Sequence, residues 1–331
     1  MKKGLNVIDL FSGIGGFSLG LQKAGFELEN HYYSEVNRHA IANYKYNFKD
    51  AKYIGSVTDV RGGYFGRGEI DIITFGSPCQ DFSLAGKRAG IDGDRSGLIR
   101  EAIRIVGEVR PSIFIWENVK GVFSSNFGAD FAAILQAFAD IGGYRLEWQL
   151  LNTSWILPQN RERIYLIGHL AGRSECGVFP ITENDIKIRL NAPKDPHIQV
   201  GTYRTHNDGK GFREVKSNIA PTIPARARED GSGMPVIRQL PRGKNKGADL
   251  TICPTISSNA FQENNLLGGI RRLTEIECER LQGFPDNWTQ YGNYDDTIKP
   301  IAKTQRYKLI GNAVTVDIVE LIAKRLKFTE Q

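Results

Sequence analysis

The sequence predicts an α/β fold: an open parallel sheet wound with crossover helices, joined to a smaller irregular domain. Three observations carry this. Through about residue 170, short apolar runs alternate with helical patterns, which is how parallel strands joined by helices read. From about 171 to 270 that alternation dissolves into Gly, Pro, Asn and charged residues. The chain, at 331 residues, is longer than one core usually spans. The expected division is a first domain at 1–170, completed by 306–331, and a second domain at 171–305.

Taken in order, 5–11 is the first strand candidate, and Gly13, Gly15 and Gly16 follow it as a tight turn. Helical spacing over 17–24 and 37–48 alternates with strand candidates at 31–35 and 71–77. The next helix, 97–109, sets Leu98, Ala102, Ile105 and Val109 on one face. Strands at 112–117, 145–152 and 163–169 complete the first domain. In the irregular part, Ile219-Ala-Pro-Thr-Ile223 and Ile252-Cys-Pro-Thr-Ile256 share a core that reads as two similar strand starts. Thr274 followed by Glu277 predicts a capping box opening a helix at 274–282. A helix at 315–326, with Val316, Val319, Leu321 and Ile322 apolar, is expected to dock on the first domain.

Hydrophobic residues at 40% and charged residues at 24% are those of a globular protein, not a disordered or fibrous one. No apolar run approaches the roughly 20 residues a membrane helix needs. Cys79, Cys176, Cys253 and Cys278 are scattered, without zinc-site pairing or disulfide density, so a reducing cytoplasm and no metal are expected. The net charge of +6 is concentrated where Arg and Lys recur, as at Arg161, Arg163, Arg204, Arg226, Arg228 and Arg242, a region suited to phosphates.

Ligands of open parallel sheets gather at the carboxyl ends of the strands, so the residues there belong together. Strand one ends in Phe11 and the glycine turn, which lets a ligand approach backbone closely. About twenty residues later Glu35 ends strand two, where a carboxylate accepts ribose hydroxyls. Gly13, Gly15 and Gly16 do not have the GxGxxG spacing of a dinucleotide site. Strand three runs into Ser77-Pro78-Cys79, placing a thiol in a stiff loop above the sheet, where helix dipoles or arginines would favour the thiolate. Strand four ends in Glu117, a carboxyl group that a dry pocket would suit to carry a proton. Thiolate, carboxyl group and nucleotide pocket on one edge form a specific combination.

These residues resemble the cytosine-5 DNA methyltransferase family. The likeness runs in order through DLFSGIGG at 9–16, GSPCQDFS at 76–83, ENV at 117–119, QNRER at 159–163, RRLTEIECERLQGFPDNW at 271–288 and GNAV at 311–314. The resemblance implies a Rossmann-like S-adenosylmethionine-dependent domain with a smaller target-recognition domain. It further implies a cofactor pocket lined by Phe11, Gly13, Ile14, Gly16, Glu35, Val36, Pro78, Leu98, Asn312 and Ala313. Cys79 would be the nucleophile, Glu117 would contact cytosine N3, and Arg161 and Arg163 would position a base flipped out of double-stranded DNA. S-adenosylhomocysteine would be the product, with no metal involved. The loop at 83–96, with Gly86, Gly90 and Gly93, fits a hinged lid.

Two positions depart from the family pattern: Ser56 where many members carry an acidic residue, and Val36 where an aromatic often packs. A tRNA cytosine methyltransferase of related fold is the nearest alternative, but the long basic segment favours DNA and no Cys-Phe-Thr signature is present. A silent DNA-binding regulator would have no reason to keep Cys79, Glu117 and Arg163 together. The expected partners are double-stranded DNA and no membrane, with a monomeric chain and a restriction endonuclease that activity does not require.

Overall fold

The central strands of the first domain are apolar on both faces, because each face is covered. In chain order the strands are β1 Gly4–Leu10, β2 Glu27–Ser34, β3 Lys52–Tyr53, β4 Ile72–Phe75, β5 Ile113–Val119, β6 Tyr144–Asn152, β7 Gln159–Asn160, β8 Glu162–Leu170 and β9 Ser174–Glu175. There follow β10 Ile198–Arg204, β11 Gly211–Glu214, β12 Ala220–Pro221, β13 Pro235–Gln239, β14 Ile270–Arg272, β15 Tyr291–Tyr294, β16 Thr297–Pro300 and β17 Lys327–Phe328. The α-helices are α1 Gly16–Lys23, α2 Arg38–Asn47, α3 Gly97–Val109, α4 Ala129–Asp140, α5 Glu275–Leu281, α6 Lys303–Asn312 and α7 Val316–Ala323. The structure, a computed structural model, describes residues 4–77, 97–182, 198–204, 211–214, 220–221, 235–239 and 270–329. Pro78, Cys79, the 83–96 loop, Arg226, Arg228 and Arg242 lie outside the described residues.

Seven strands form the main sheet in the order β3-β2-β1-β4-β5-β8-β6. β1 is parallel to β2 and β4, and β4 to β5, whereas β8 is antiparallel to both of its neighbours. The link from β6 to β8 is too short for a crossover helix, so the chain reverses and β8 fills the slot beside β5.

Period-two alternation sorts the side chains. Ile73, Phe75, Phe114 and Trp116 face one layer with Ile105 of α3 and Phe138 of α4. Ile72, Ile113 and Ile115 face the other, with Phe17 and Leu21 of α1 and Ile318, Val319 and Ile322 of α7. Helix α7 lies close on α1, for a Cβ at Gly20 would stand 2.5 Å from Val319 Cγ1. The predicted capping box is present: Glu277 N–H donates to Thr274 Oγ1 (3.2 Å) and Thr274 N–H to Glu277 Oε2 (2.7 Å). Helix α4, helix α6 and the β15–β16 hairpin have no counterpart in the sequence prediction.

The described strands β11-β10-β13-β14 form a separate antiparallel sheet. Of the repeated Ile-x-Pro-Thr-Ile segments, the first supplies β12, which pairs in parallel with β7 (Ala220 opposite Gln159). The second lies outside the described residues.

Candidate active site at the carboxyl edge of the sheet

β1 lies between β2 and β4, so crossovers leave it in opposite directions and a crevice opens at the carboxyl ends of β1 and β4. Phe11 does not continue the strand as predicted; it turns out of it with φ 51°, and Gly13 (54°) and Gly15 (82°) continue the left-handed turn into α1. A Cβ at Gly13 would meet nothing within 4 Å, so the space above this turn is open. At Gly16 a Cβ would stand 2.7 Å from Val314 Cγ2, which explains glycine there by close packing on the 311–314 turn.

Glu35 follows β2 and bends back. Its Oε2 accepts the Gly13 N–H (2.9 Å), and its Oε1 accepts those of Val36 (2.8 Å) and Asn37 (2.9 Å). The carboxylate thus fixes the glycine turn and keeps a lone pair for a ligand hydroxyl. Asn37 in turn caps α2, its Oδ1 accepting from His39 (2.9 Å) and Ala40 (3.2 Å).

Around this crevice the remaining predicted cofactor residues divide. Leu98 and Phe11 pack half-buried on the layer of α3 and α4. Val36 is 73% exposed. The Ile14 side chain is 1% exposed and packs inward with Leu273, Cys278 and Phe284, so its backbone is what can face a ligand. Ala313 is buried while Asn312 beside it is exposed. Ser56 Oγ is paired with Thr58 Oγ1 (2.9 Å).

The second half of the site is built across β4, β5 and β8. Trp116 Nε1 donates to the buried Ser77 Oγ (3.0 Å), anchoring the chain two residues before Cys79. Glu117, one residue on, is 8% exposed and pairs with Arg163 (Nε–Oε1 3.1 Å), held two positions apart on β8 by the register Glu117–Tyr165 and Val119–Arg163. That contact lacks hydrogen-bond alignment, so Glu117 Oε1 is buried with no hydrogen-bond partner. Gly76 stands beside it: a Cβ there would approach Glu117 Oε2 to 3.3 Å. Sequence reasoning missed Gly76, although a glycine immediately ending a strand is a signal of close approach.

Arg161 is held away from solvent. The resemblance places it against the nucleotide, but the structure buries it to 3% exposure and turns its guanidinium to backbone: Nη2 donates to Ala313 O (2.7 Å) and Nη1 to Gly311 O (3.4 Å). Burial, with the like charge of Arg163 nearby, lowers its pKa to about 9, so it remains a cation at neutral pH.

At the opposite edge of the sheet, Glu147, His169 and Cys176 bring donor atoms within 4.8 Å of one another. Glu147 already accepts His169 Nε2 (2.7 Å) and the N–H groups of Val178 (3.1 Å) and Phe179 (3.2 Å), so it works as a loop anchor.

Comparison with known proteins gives the following. Residues 5–328 match the family model described as C-5 cytosine-specific DNA methylase. The chain is 31% identical to Type II methyltransferase M.HpaII of Haemophilus parainfluenzae, over 98% of this chain and 90% of that one. It is 32% identical to Type II methyltransferase M1.ScrFI of Lactococcus lactis subsp. cremoris, over 97% and 77%. Among solved structures, the S. pombe Dnmt2 methyltransferase superposes with TM-score 0.63 at 19% identity, covering 96% of each chain. An E. coli prophage-encoded putative DNA modification methyltransferase gives 0.55 at 24%, covering 97% of each.

Proposed function

The chain belongs to the C-5 cytosine-specific DNA methylase family and is a DNA cytosine-5 methyltransferase of the S-adenosylmethionine-dependent kind; on that premise we propose how its residues share the reaction. The open glycine turn, the Glu35 carboxylate and the exposed Asn312 fit an adenosyl ligand. Phe11, Gly13, Gly16, Glu35, Val36, Pro78, Leu98, Asn312 and Ala313 would hold it, with Ile14 contributing backbone alone. S-adenosylmethionine supplies an electrophilic methyl group and leaves as S-adenosylhomocysteine.

The protein's own task is to make cytosine C5 nucleophilic. The Cys79 thiolate adds at C6, Glu117 holds a proton at N3, and the electron density gained at C5 takes the methyl group. Loss of the C5 proton then expels the thiolate and restores the ring. Neither ring face is open in a duplex, so the base must leave the stack first. Arg163 meets Glu117 at 3.1 Å and would also contact the flipped base. The observation that carries this division is the buried Oε1 of Glu117, which touches Arg163 but has no hydrogen-bond partner, one strand from the segment that leads to Cys79.

Residues 171–272 would read the target sequence, whereas Leu273, Cys278 and Phe284 pack on Ile14 of the first domain; the separate four-stranded sheet supports a second domain, and the β12–β7 pairing ties it to the QNRER segment. A monomer suffices for this scheme. The Type II methyltransferase names of the relatives support a cognate restriction endonuclease as a partner. No described helix is long and apolar enough to cross a membrane, and a reducing cytoplasm suits a thiolate nucleophile.

The scheme is tested with DNA carrying 5-fluorocytosine, whose fluorine cannot leave as a proton. With S-adenosylmethionine present, the wild-type chain should form a denaturant-resistant adduct, while Cys79→Ser should bind S-adenosylhomocysteine and form none. An adduct on Cys79→Ser, or none on wild type, would contradict the assignment.

A further inference from the structure

Arg161 is a buried cation with an unusual set of contacts. Among the described residues no carboxylate lies at ion-pair distance from it, and its Nε has no hydrogen-bond partner. What it holds instead are the carbonyls of Gly311 and Ala313, at the carboxyl end of α6. Carbonyls there lack partners within a helix, and a cation at that end is favoured by the helix dipole. The planar fork of arginine spans two acceptors that a single ammonium cannot.

Between the two clamped residues Asn312 is exposed. The backbone of Arg161 is itself fixed, its N–H donating to Asn152 Oδ1 (3.1 Å) and its carbonyl accepting from Thr153 N–H (2.9 Å). Two residues further along, Arg163 meets Glu117.

We propose that Arg161 is a positioning residue for the cofactor edge: by holding the Gly311 and Ala313 carbonyls it sets the exposed Asn312, and it couples that turn to the Glu117–Arg163 pair. The proposal rests on the reading of Asn312 and Ala313 as cofactor contacts. It moves Arg161 from the target side to the cofactor side of the reaction.

The test measures S-adenosylhomocysteine binding by calorimetry and steady-state kinetics for Arg161→Met, Arg161→Lys and Arg163→Lys, with folding checked by thermal melting. Arg161→Met should weaken S-adenosylhomocysteine binding and raise KM for S-adenosylmethionine by about tenfold or more, leaving KM for DNA near wild type. Arg161→Lys, which keeps the charge and is the variant to rely on if the methionine chain does not fold, should recover only part of that loss. Arg163→Lys should lower kcat with cofactor affinity intact. Wild-type cofactor affinity in a folded Arg161 variant, or a loss confined to DNA, would overturn the proposal. A wild-type chain that binds no S-adenosylhomocysteine would overturn the cofactor site beneath it.

Discussion

Asp9, next to last in β1, is wholly buried, and hydroxyl groups from three elements converge on it: Thr74 Oγ1 donates to Oδ1 (2.9 Å), Ser18 Oγ and Tyr44 OH to Oδ2 (3.1 and 3.2 Å). His31 joins the network through Tyr44 OH (2.7 Å) and Ser18 Oγ (2.9 Å). Burial outweighs these donors and pushes the Asp9 pKa up to about 7, while burial takes that of His31 down to about 4. The two linkages have opposite sign. A raised Asp pKa gives stability that is full below about pH 4 and is lost as the pH climbs to about 7; a depressed His pKa gives stability that is full above about 6.5 and is lost as the pH falls towards 4. Between these limits the two oppose each other. Asp9→Asn, close in shape and always neutral, removes one of them. Relative to wild type it should gain stability steadily from about pH 4 to about pH 7, by about 1–4 kcal/mol, and then hold level. Urea melts of both chains across that range provide the measurement; a constant difference would mean that Asp9 does not titrate there.

At the scale of elements, close approach of backbone to side chain explains positions that a hydrophobic pattern cannot show. Gly168 on β8 lies opposite Phe114 on β5, and a Cβ at Gly168 would stand 1.9 Å from Phe114 Cε1. The ring has nowhere to go, since it stacks on Phe138 (4.5 Å) and meets Tyr144 edge-on (5.2 Å). Gly168→Ala should therefore destabilise the chain by about 1–3 kcal/mol through overpacking. A loss under about 0.5 kcal/mol in denaturant titration would show that the sheet yields freely there. The elements that were legible in the sequence are those with a clean period, run or cap: α3 with its apolar face, β5 with its continuous apolar run, and α5 with its capping box. The start of β2 was not legible, because Glu27, Glu29 and Asn30 near its exposed start look like loop residues. Helix α4 carried its signal in Phe131, Ile134 and Phe138, which recur at helical spacing. The position of β8 between β5 and β6 depends on long-range pairing that no local pattern encodes.

For the molecule as a whole, one sheet edge brings together residues far apart in the chain: the glycine turn, Glu35, Ser77, Glu117, Arg163 and the 311–314 turn. Their residue types were legible from the chemistry they imply. Their directions were not, since Ile14 turns into the core and Arg161 turns towards α6 only because α5, α6 and α7 close over that side of the sheet. The central claim is that this edge methylates cytosine in DNA, and bisulfite sequencing tests it most directly. DNA from cells without their own cytosine-5 methylation, expressing this chain, should retain unconverted cytosines in one short recurring sequence, and cells expressing Glu117→Ala should retain almost none. Complete conversion with the wild-type chain, or protection of tRNA cytosines with none in DNA, would contradict the account.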